Sequence, residues 1–236
     1  ELLEIGANYG EVTQGLVKKL KEVTAIEFSK TKVSCIQKRL KDYNNLKIIL
    51  TTKLNNCELE KKYDYITIIG TAEYAQKLGF ENLEYMLKWT KKYLKEDGTI
   101  LLAIDNKFGV KYLAGSTRNK EEVPLANYKN YIKKDYKLYG KTELEDIIKS
   151  VGLSNYKFYY PLPNYNITDT IYTNEFLPKN ISYNIYYRED EEILFNEISF
   201  MQEIIKNKQF DMFCNSYLIE ISKTSTENIG FVKYSN

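Results

Sequence analysis

The sequence predicts an α/β fold: a doubly wound, Rossmann-like sheet of seven mostly parallel strands, with an insertion between the last two. Three observations lead there. Short apolar runs alternate with segments of helical period. The first thirty residues, ELLEIGANYGEVTQGLVKKLKEVTAIEFSK, read as strand, glycine turn, helix, strand and acid. The run Thr99 to Ile104, TILLAI, is apolar almost without a break, as in a strand covered on both faces.

Leu2, Leu3 and Ile5 form the first strand, and Gly6 and Gly10 bracket the turn after it. Val12, Leu16 and Leu20 mark one face of the first helix, and Val23, Ala25 and Ile26 form a second strand ending at Glu27. Ser29 can cap a second helix bearing Val33, Ile36 and Leu40. LKIIL from Leu46 and YDYITII from Tyr63 are strands three and four, the latter followed by Gly70. Leu83, Leu87 and Leu94 stripe a helix that should end near Glu96-Asp97-Gly98, before the fifth strand. Thr142-Glu143-Leu144-Glu145 reads as a capping box for a helix carrying Leu144, Ile147, Ile148 and Val151, closed by Gly152. Tyr156 to Tyr160 is the sixth strand and Tyr217 to Ser222 the seventh.

The stretch from Pro161 to Phe213 is too long for a simple connection. It holds PLPNYNITDTIYTNEFLP and then a helix with Ile193, Leu194, Ile198, Met201 and Ile205. The expected organisation is a core of residues 1–160 plus 214–223, an inserted cap of 161–213 over the carboxyl edge of the sheet, and a tail or linker of 224–236. The chain opens inside a strand, which reads as a domain excised from a longer protein with neighbouring domains.

At 236 residues, 28% charged and 43% apolar, the composition is that of a globular protein able to bury a core. The net charge of +2 supplies no global field for nucleic acid, and only Arg39, Arg118 and Arg188 offer bidentate phosphate contacts. There is no histidine, so the usual general base and transition-metal ligand are missing, and Cys35, Cys57 and Cys214 lack metal-site spacing. An odd, scattered cysteine set fits a reducing compartment, and a cytoplasmic location is expected. No apolar run approaches the ~20 residues of a bilayer span. The 22 tyrosines and many lysines fit an AT-rich genome, and the run Lys129 to Lys137 reads as a solvated face.

The turn Gly6-Ala7-Asn8-Tyr9-Gly10 departs from the dinucleotide fingerprint G-x-G-x-x-G, since Asn8 stands where the middle glycine would be. Glu4, just before it, would repel a pyrophosphate but attract a cationic amino-acid group. Glu27 ends the second strand, where a carboxylate can accept hydrogen bonds from ribose hydroxyls. With Glu4, Gly6 and Gly10 in that order, the segment resembles motif I of the class I S-adenosylmethionine-dependent methyltransferases, and Glu27 resembles their ribose-binding acid. The resemblance implies S-adenosylmethionine as cofactor, bound by Glu4, Gly6, Ala7, Asn8, Gly10, Glu27, Phe28, Thr52, Gly70 and Thr71.

The acid that often contacts adenine after strand three is missing; Thr52, Lys53 and Asn55 stand near its place. After strand four, GTAEYA replaces the Asn/Asp-Pro-Pro-Tyr motif of enzymes that methylate amino groups of bases. Glu73 and Asp105 are the candidate bases, and Tyr74, Asn106 and Tyr165 the candidate substrate contacts. Asp105-Asn106 reads as a turn, or as a Mg²⁺ pair of the catechol-type O-methyltransferases. The segment DNKFGVKYLAG, with FYYPLPNY and EFLP, is similar to methyltransferase domains of multidomain bacterial proteins of surface-polysaccharide biosynthesis. That similarity implies a hydroxyl of a saccharide or glycan precursor as acceptor, and no nucleic acid. A non-catalytic module that positions neighbouring domains, and a nicotinamide-dependent oxidoreductase, are the competing readings.

Overall fold

The computed structural model describes residues 1–117, 125, 136–182 and 193–224. Most of the run Lys129 to Lys137, Arg118, Arg188 and the tail beyond Thr224 lie outside these residues. The strands are β1 (Leu2–Ile5), β2 (Val23–Glu27), β3 (Leu46–Leu50), β4 (Tyr63–Ile69), β5 (Leu94–Asp105), β6 (Asn155–Leu162), β7 (Thr170–Thr173) and β8 (Ser216–Ser222). The helices are α1 (Glu11–Lys19), α2 (Lys30–Arg39), α3 (Leu83–Lys92), α4 (Val110–Leu113), α5 (Lys141–Ser150), α6 (Glu197–Lys206) and α7 (Phe210–Phe213). The sheet has eight strands rather than seven, in the order β3-β2-β1-β4-β5-β8-β6-β7. The extra strand, β7, comes from the expected insertion. It pairs antiparallel with β6, so the first part of that segment is sheet.

Two compact units divide the chain. One contains Glu1–Leu102, Ile147–Tyr156 and the strand residues from Glu220; the other contains Ala103–Asp146 and Lys157–Ile219. In the first, β1 lies between β2 and β4 and is parallel to both, with Ile5 opposite Ile26 and Ile68. β3 extends the parallel set, with Leu50 opposite Glu27. Leu3, Ala25, Ile26, Ile66 and Ile68 are all buried, which matches the unbroken apolar character of strands covered on both faces. Ile36 and Leu40 pack with Ala7 and Ala25, and Val17 packs with Leu2 and Val23.

Three local expectations shift. The buried face of α1 is Thr13 and Val17, while Val12 is exposed, because the Thr13 hydroxyl has a partner inside. α3 stops at Lys92, and Glu96-Asp97-Gly98 already belongs to β5. Ser29 makes no side-chain cap; its N–H bonds the Glu27 carboxylate instead. Asn82, by contrast, caps α3 by accepting from the Tyr85 N–H at 3.3 Å.

In the second unit, Tyr160 of β6 stands opposite Tyr172 of β7. α5 starts two residues earlier than its proposed box implies: the Gly140 N–H donates to Glu143 Oε2 at 2.8 Å, so Glu143 and not Glu145 closes the cap. α6 buries Glu197, Met201 and Ile204, while Ile193 and Leu194 precede the helix and are exposed. Of the expected stripe, Met201 is buried and Ile198 and Ile205 are half-buried, while Glu197 turns inward to accept from the Asn215 amide. Among the described residues no helix is long and apolar enough to cross a membrane.

Candidate functional site

The switch point lies where β1 ends between β2 and β4, and in open α/β sheets ligands bind outside the carboxyl ends of strands at such a point. Gly6 leaves β1 with φ 84°, Asn8 has φ 53° and Gly10 has φ 83°. Asparagine is among the few side chains that tolerate the left-handed region, so Asn8 can occupy a position where the fingerprint favours glycine. A Cβ on Gly6 would fall 2.2 Å from Thr71 Oγ1. That contact seats the residues after β4 on the glycine turn, and the Thr71 hydroxyl is fixed by the Ile69 carbonyl at 3.1 Å.

Glu27 is buried and held by backbone. Its Oε2 accepts from Asn8 N–H at 2.7 Å, and its Oε1 accepts from Phe28 and Ser29 N–H at 2.8 and 3.0 Å. A carboxylate offers about four acceptor positions, so three are used by the protein and one, on Oε2, remains. The Asn8 bond ties the turn to the end of β2. The Thr51 N–H bonds the Glu27 carbonyl at 3.1 Å, which sets Thr51 and Thr52 beside the same acid; Thr52 is exposed and Phe28 half-buried.

Glu4 is also buried. Thr13 Oγ1 donates to its Oε2 at 2.6 Å, and burial pushes its carboxyl up to about 7 despite that bond. The nearby Glu27 and Glu11 charges add to the rise. A positively charged ligand group would relieve this, and an anion would aggravate it. Thr13 is a member of the site that sequence reasoning did not identify; a threonine in the first turn of a glycine-loop helix, on the same face as an inward valine, was the available signal.

Gly70 has φ 60° and leads into a short 3₁₀ turn, Ala72–Tyr74. Glu73 within it is buried and Tyr74 half-buried. The first unit thus brings together Glu4, Gly6, Ala7, Asn8, Gly10, Glu27, Phe28, Thr52, Gly70 and Thr71, with Glu73 two residues beyond the Thr71 contact.

The remaining candidates lie in the second unit. Asp105 ends β5, with Lys111 Nζ at 2.7 Å on Oδ1 and the Tyr112 hydroxyl at 2.8 Å on Oδ2. Both oxygens are thus engaged, one in an ion pair and one by a buried hydroxyl, as in a structural ion pair. Asn106 is fully buried; its amide donates to the Met212 and Cys214 carbonyls and accepts from Phe108 N–H. Those bonds make it a brace between the end of β5 and the approach to β8, in place of the expected substrate contact or Mg²⁺ pair. Among the described residues no cluster of His, Cys, Asp and Glu could hold a metal ion. Tyr165 is half-buried, with its N–H on Ser216 Oγ at 2.8 Å.

Residues 3–100 match a family described as a methyltransferase domain. The chain is 26% identical over 219 residues to ribosomal RNA small subunit methyltransferase A of Mycoplasma mycoides, covering 88% of this chain and 74% of that one. Among solved structures, the methyltransferase in complex with the Haloferax volcanii Trm112 activator aligns with a TM-score of 0.58 at 12% identity, over 94% of this chain and 81% of that one. An S-adenosylmethionine-dependent methyltransferase of Thermotoga maritima aligns with a TM-score of 0.53 at 16% identity, over 95% and 82%. These structures share the fold. The matched domain covers the glycine turn and both carboxylates, and it supports S-adenosylmethionine as the cofactor.

Proposed function

We propose that this methyltransferase transfers the methyl group to a hydroxyl of a saccharide or glycan precursor. The observation that carries the reading is Glu73. The 3₁₀ turn that follows the Thr71–Gly6 contact holds a buried carboxylate where base-amino methylases have Asn/Asp-Pro-Pro-Tyr. An aromatic amine needs its lone pair aligned, whereas a hydroxyl must lose a proton as it attacks, and a carboxylate is a base for that proton.

S-adenosylmethionine supplies an electrophilic methyl and carries its own leaving group. The chain's task is alignment and exclusion of water. Glu27, fixed by three backbone N–H groups, orients the ribose; Glu4 faces the charged amino-acid end; Glu73 takes the acceptor proton. Tyr74 is carried as an acceptor contact.

A second reading has its own support. The Mycoplasma relative acts on ribosomal RNA, and the alignment covers most of this chain. RNA is therefore the competing acceptor. Transfer from methyl-labelled cofactor to cell-envelope glycan precursors, with RNA and protein extracts in parallel, decides. Label in glycan, lost in Glu73→Gln with cofactor affinity kept, is the expected result. Label in RNA alone would replace the saccharide reading.

A further inference from the structure

The second unit contains an aromatic and polar cluster built from α5, β6, β7 and α7. Phe158 and Tyr160 alternate along β6, and Tyr172 and Asn174 follow the same alternation at β7, with Tyr160 directly opposite Tyr172. All four side chains therefore share one face of the hairpin. Phe210 meets Tyr160 and Tyr172 edge to face, at 6.1 and 5.7 Å between ring centroids. Lys141, at the start of α5, places its ammonium 5.5 Å from the centroids of Phe158 and Tyr160. It donates to Asp211 Oδ2 at 2.6 Å and to the Tyr160 hydroxyl at 3.0 Å, and that hydroxyl donates to Asn174 Oδ1 at 2.5 Å.

This chain of bonds leaves hydrogen-bonding capacity at its outer end. Asn174 is exposed, and its amide N–H₂ has no partner among the described residues. Asp211, 27% exposed, uses one oxygen on Lys141. The Tyr172 hydroxyl has no hydrogen bond among the described residues, and its ring is half-buried. Tyr160 and Phe210 are buried, so the partly exposed Tyr172 ring is the apolar surface on offer; with an amide donor, a carboxylate acceptor and a hydroxyl, it suits the CH face and the vicinal hydroxyls of a pyranose. Lys141 and Asp211 cancel in charge, so nothing here selects a carboxylate or a phosphate.

We infer that Tyr172, Asn174 and Asp211, braced by Lys141 and Tyr160, form a subsite for a neutral pyranose unit of the acceptor. The inference rests on the saccharide reading above and names where the second unit would hold the sugar.

The test uses the full chain and saturation-transfer NMR with methyl glycosides of glucose, galactose, N-acetylglucosamine and rhamnose as probes. At least one glycoside should show transfer, reduced tenfold or more in Tyr172→Ala and in Asn174→Ala. Asn174 is exposed and Tyr172 half-buried, so a thermal shift with S-adenosylmethionine reports whether each variant is folded and still binds cofactor. In turnover with a glycan acceptor, both variants should raise KM about tenfold and leave kcat within twofold. No transfer from any glycoside to the wild type overturns the subsite. So does transfer that both variants retain. If glycan is methylated with unchanged KM in both variants, the subsite is wrong while the saccharide reading stands; if only RNA is methylated, the saccharide reading itself has failed.

Discussion

Two buried carboxylates, Glu4 held by the Thr13 hydroxyl and Glu27 by backbone N–H groups, set most of the chemistry of the first unit. Glu27 is satisfied by Asn8, Phe28 and Ser29 N–H, so removing it does two things. Glu27→Ala should weaken S-adenosylmethionine binding by about 1.5–3 kcal/mol, the worth of a hydrogen bond to a charged group, and leave three N–H groups unpaired; calorimetry and a denaturant midpoint would read the two effects. Gly6→Ala puts a methyl 2.2 Å from Thr71 Oγ1 at a φ of 84°. It should destabilise by roughly 1–3 kcal/mol and abolish cofactor binding. Glu4 has a pH signature. Its carboxyl rises from 4.5 to about 7 on folding, so the fold favours the protonated form. Stability is fully present below pH 4.5 and is lost as pH rises through 7, by roughly 3 kcal/mol at about 1.4 kcal/mol for each pH unit. Urea unfolding at pH 5 and pH 8 should show that slope in the wild type and a flattened one in Glu4→Gln. Glycines and strand-end acids were legible because their roles follow from local spacing. Thr13 and the Lys111–Asp105–Tyr112 cluster were not, since each bond depends on where a helix turns after it leaves the strand.

At the scale of elements, periodicity located every strand of the parallel set but not the details of helix faces. In α1 the expected Leu16 and Leu20 pack beside the core, and in α6 the expected Met201 is buried, but each helix also turns a polar residue inward, Thr13 to Glu4 and Glu197 to Asn215. A hydrophobic pattern carries no information about a buried hydrogen bond, so it misses those two positions. The capping box at α5 failed for a related reason. Two glutamates, Glu143 and Glu145, were available, and only the observed start at Lys141 selects Glu143. Glu143→Ala should therefore lower stability by about 0.5–1 kcal/mol and Glu145→Ala by less than half of that, measured by thermal unfolding. β7 escaped notice because its four residues, TIYT, sit within a stretch punctuated by Pro, Asn and Asp.

For the whole molecule, ligand linkage gives a test of cofactor identity that needs no acceptor. S-adenosylmethionine at a hundred times its Kd should add about 2.7 kcal/mol. For a chain of this length that is a Tm rise of roughly 5–10 °C. NAD, whose pyrophosphate would meet Glu4, should leave Tm unchanged. A shift with NAD and none with S-adenosylmethionine would contradict the assignment of the turn.

The order of the sheet also governs how the chain is made. β8 is the last of the described strands in chain order, yet it takes a place between β5 and β6. Until Ser216–Ser222 has been synthesised, the flanking strands lack a neighbour on that side, and open edges rich in Ile, Leu and Tyr pair readily with other chains. Nascent chains stalled before Ser216 should then depend on chaperones and accumulate as aggregates, while those extended past Ser222 become soluble. Addition of β8 closes the gap, so synthesis through Ser222 works as a checkpoint on this sheet.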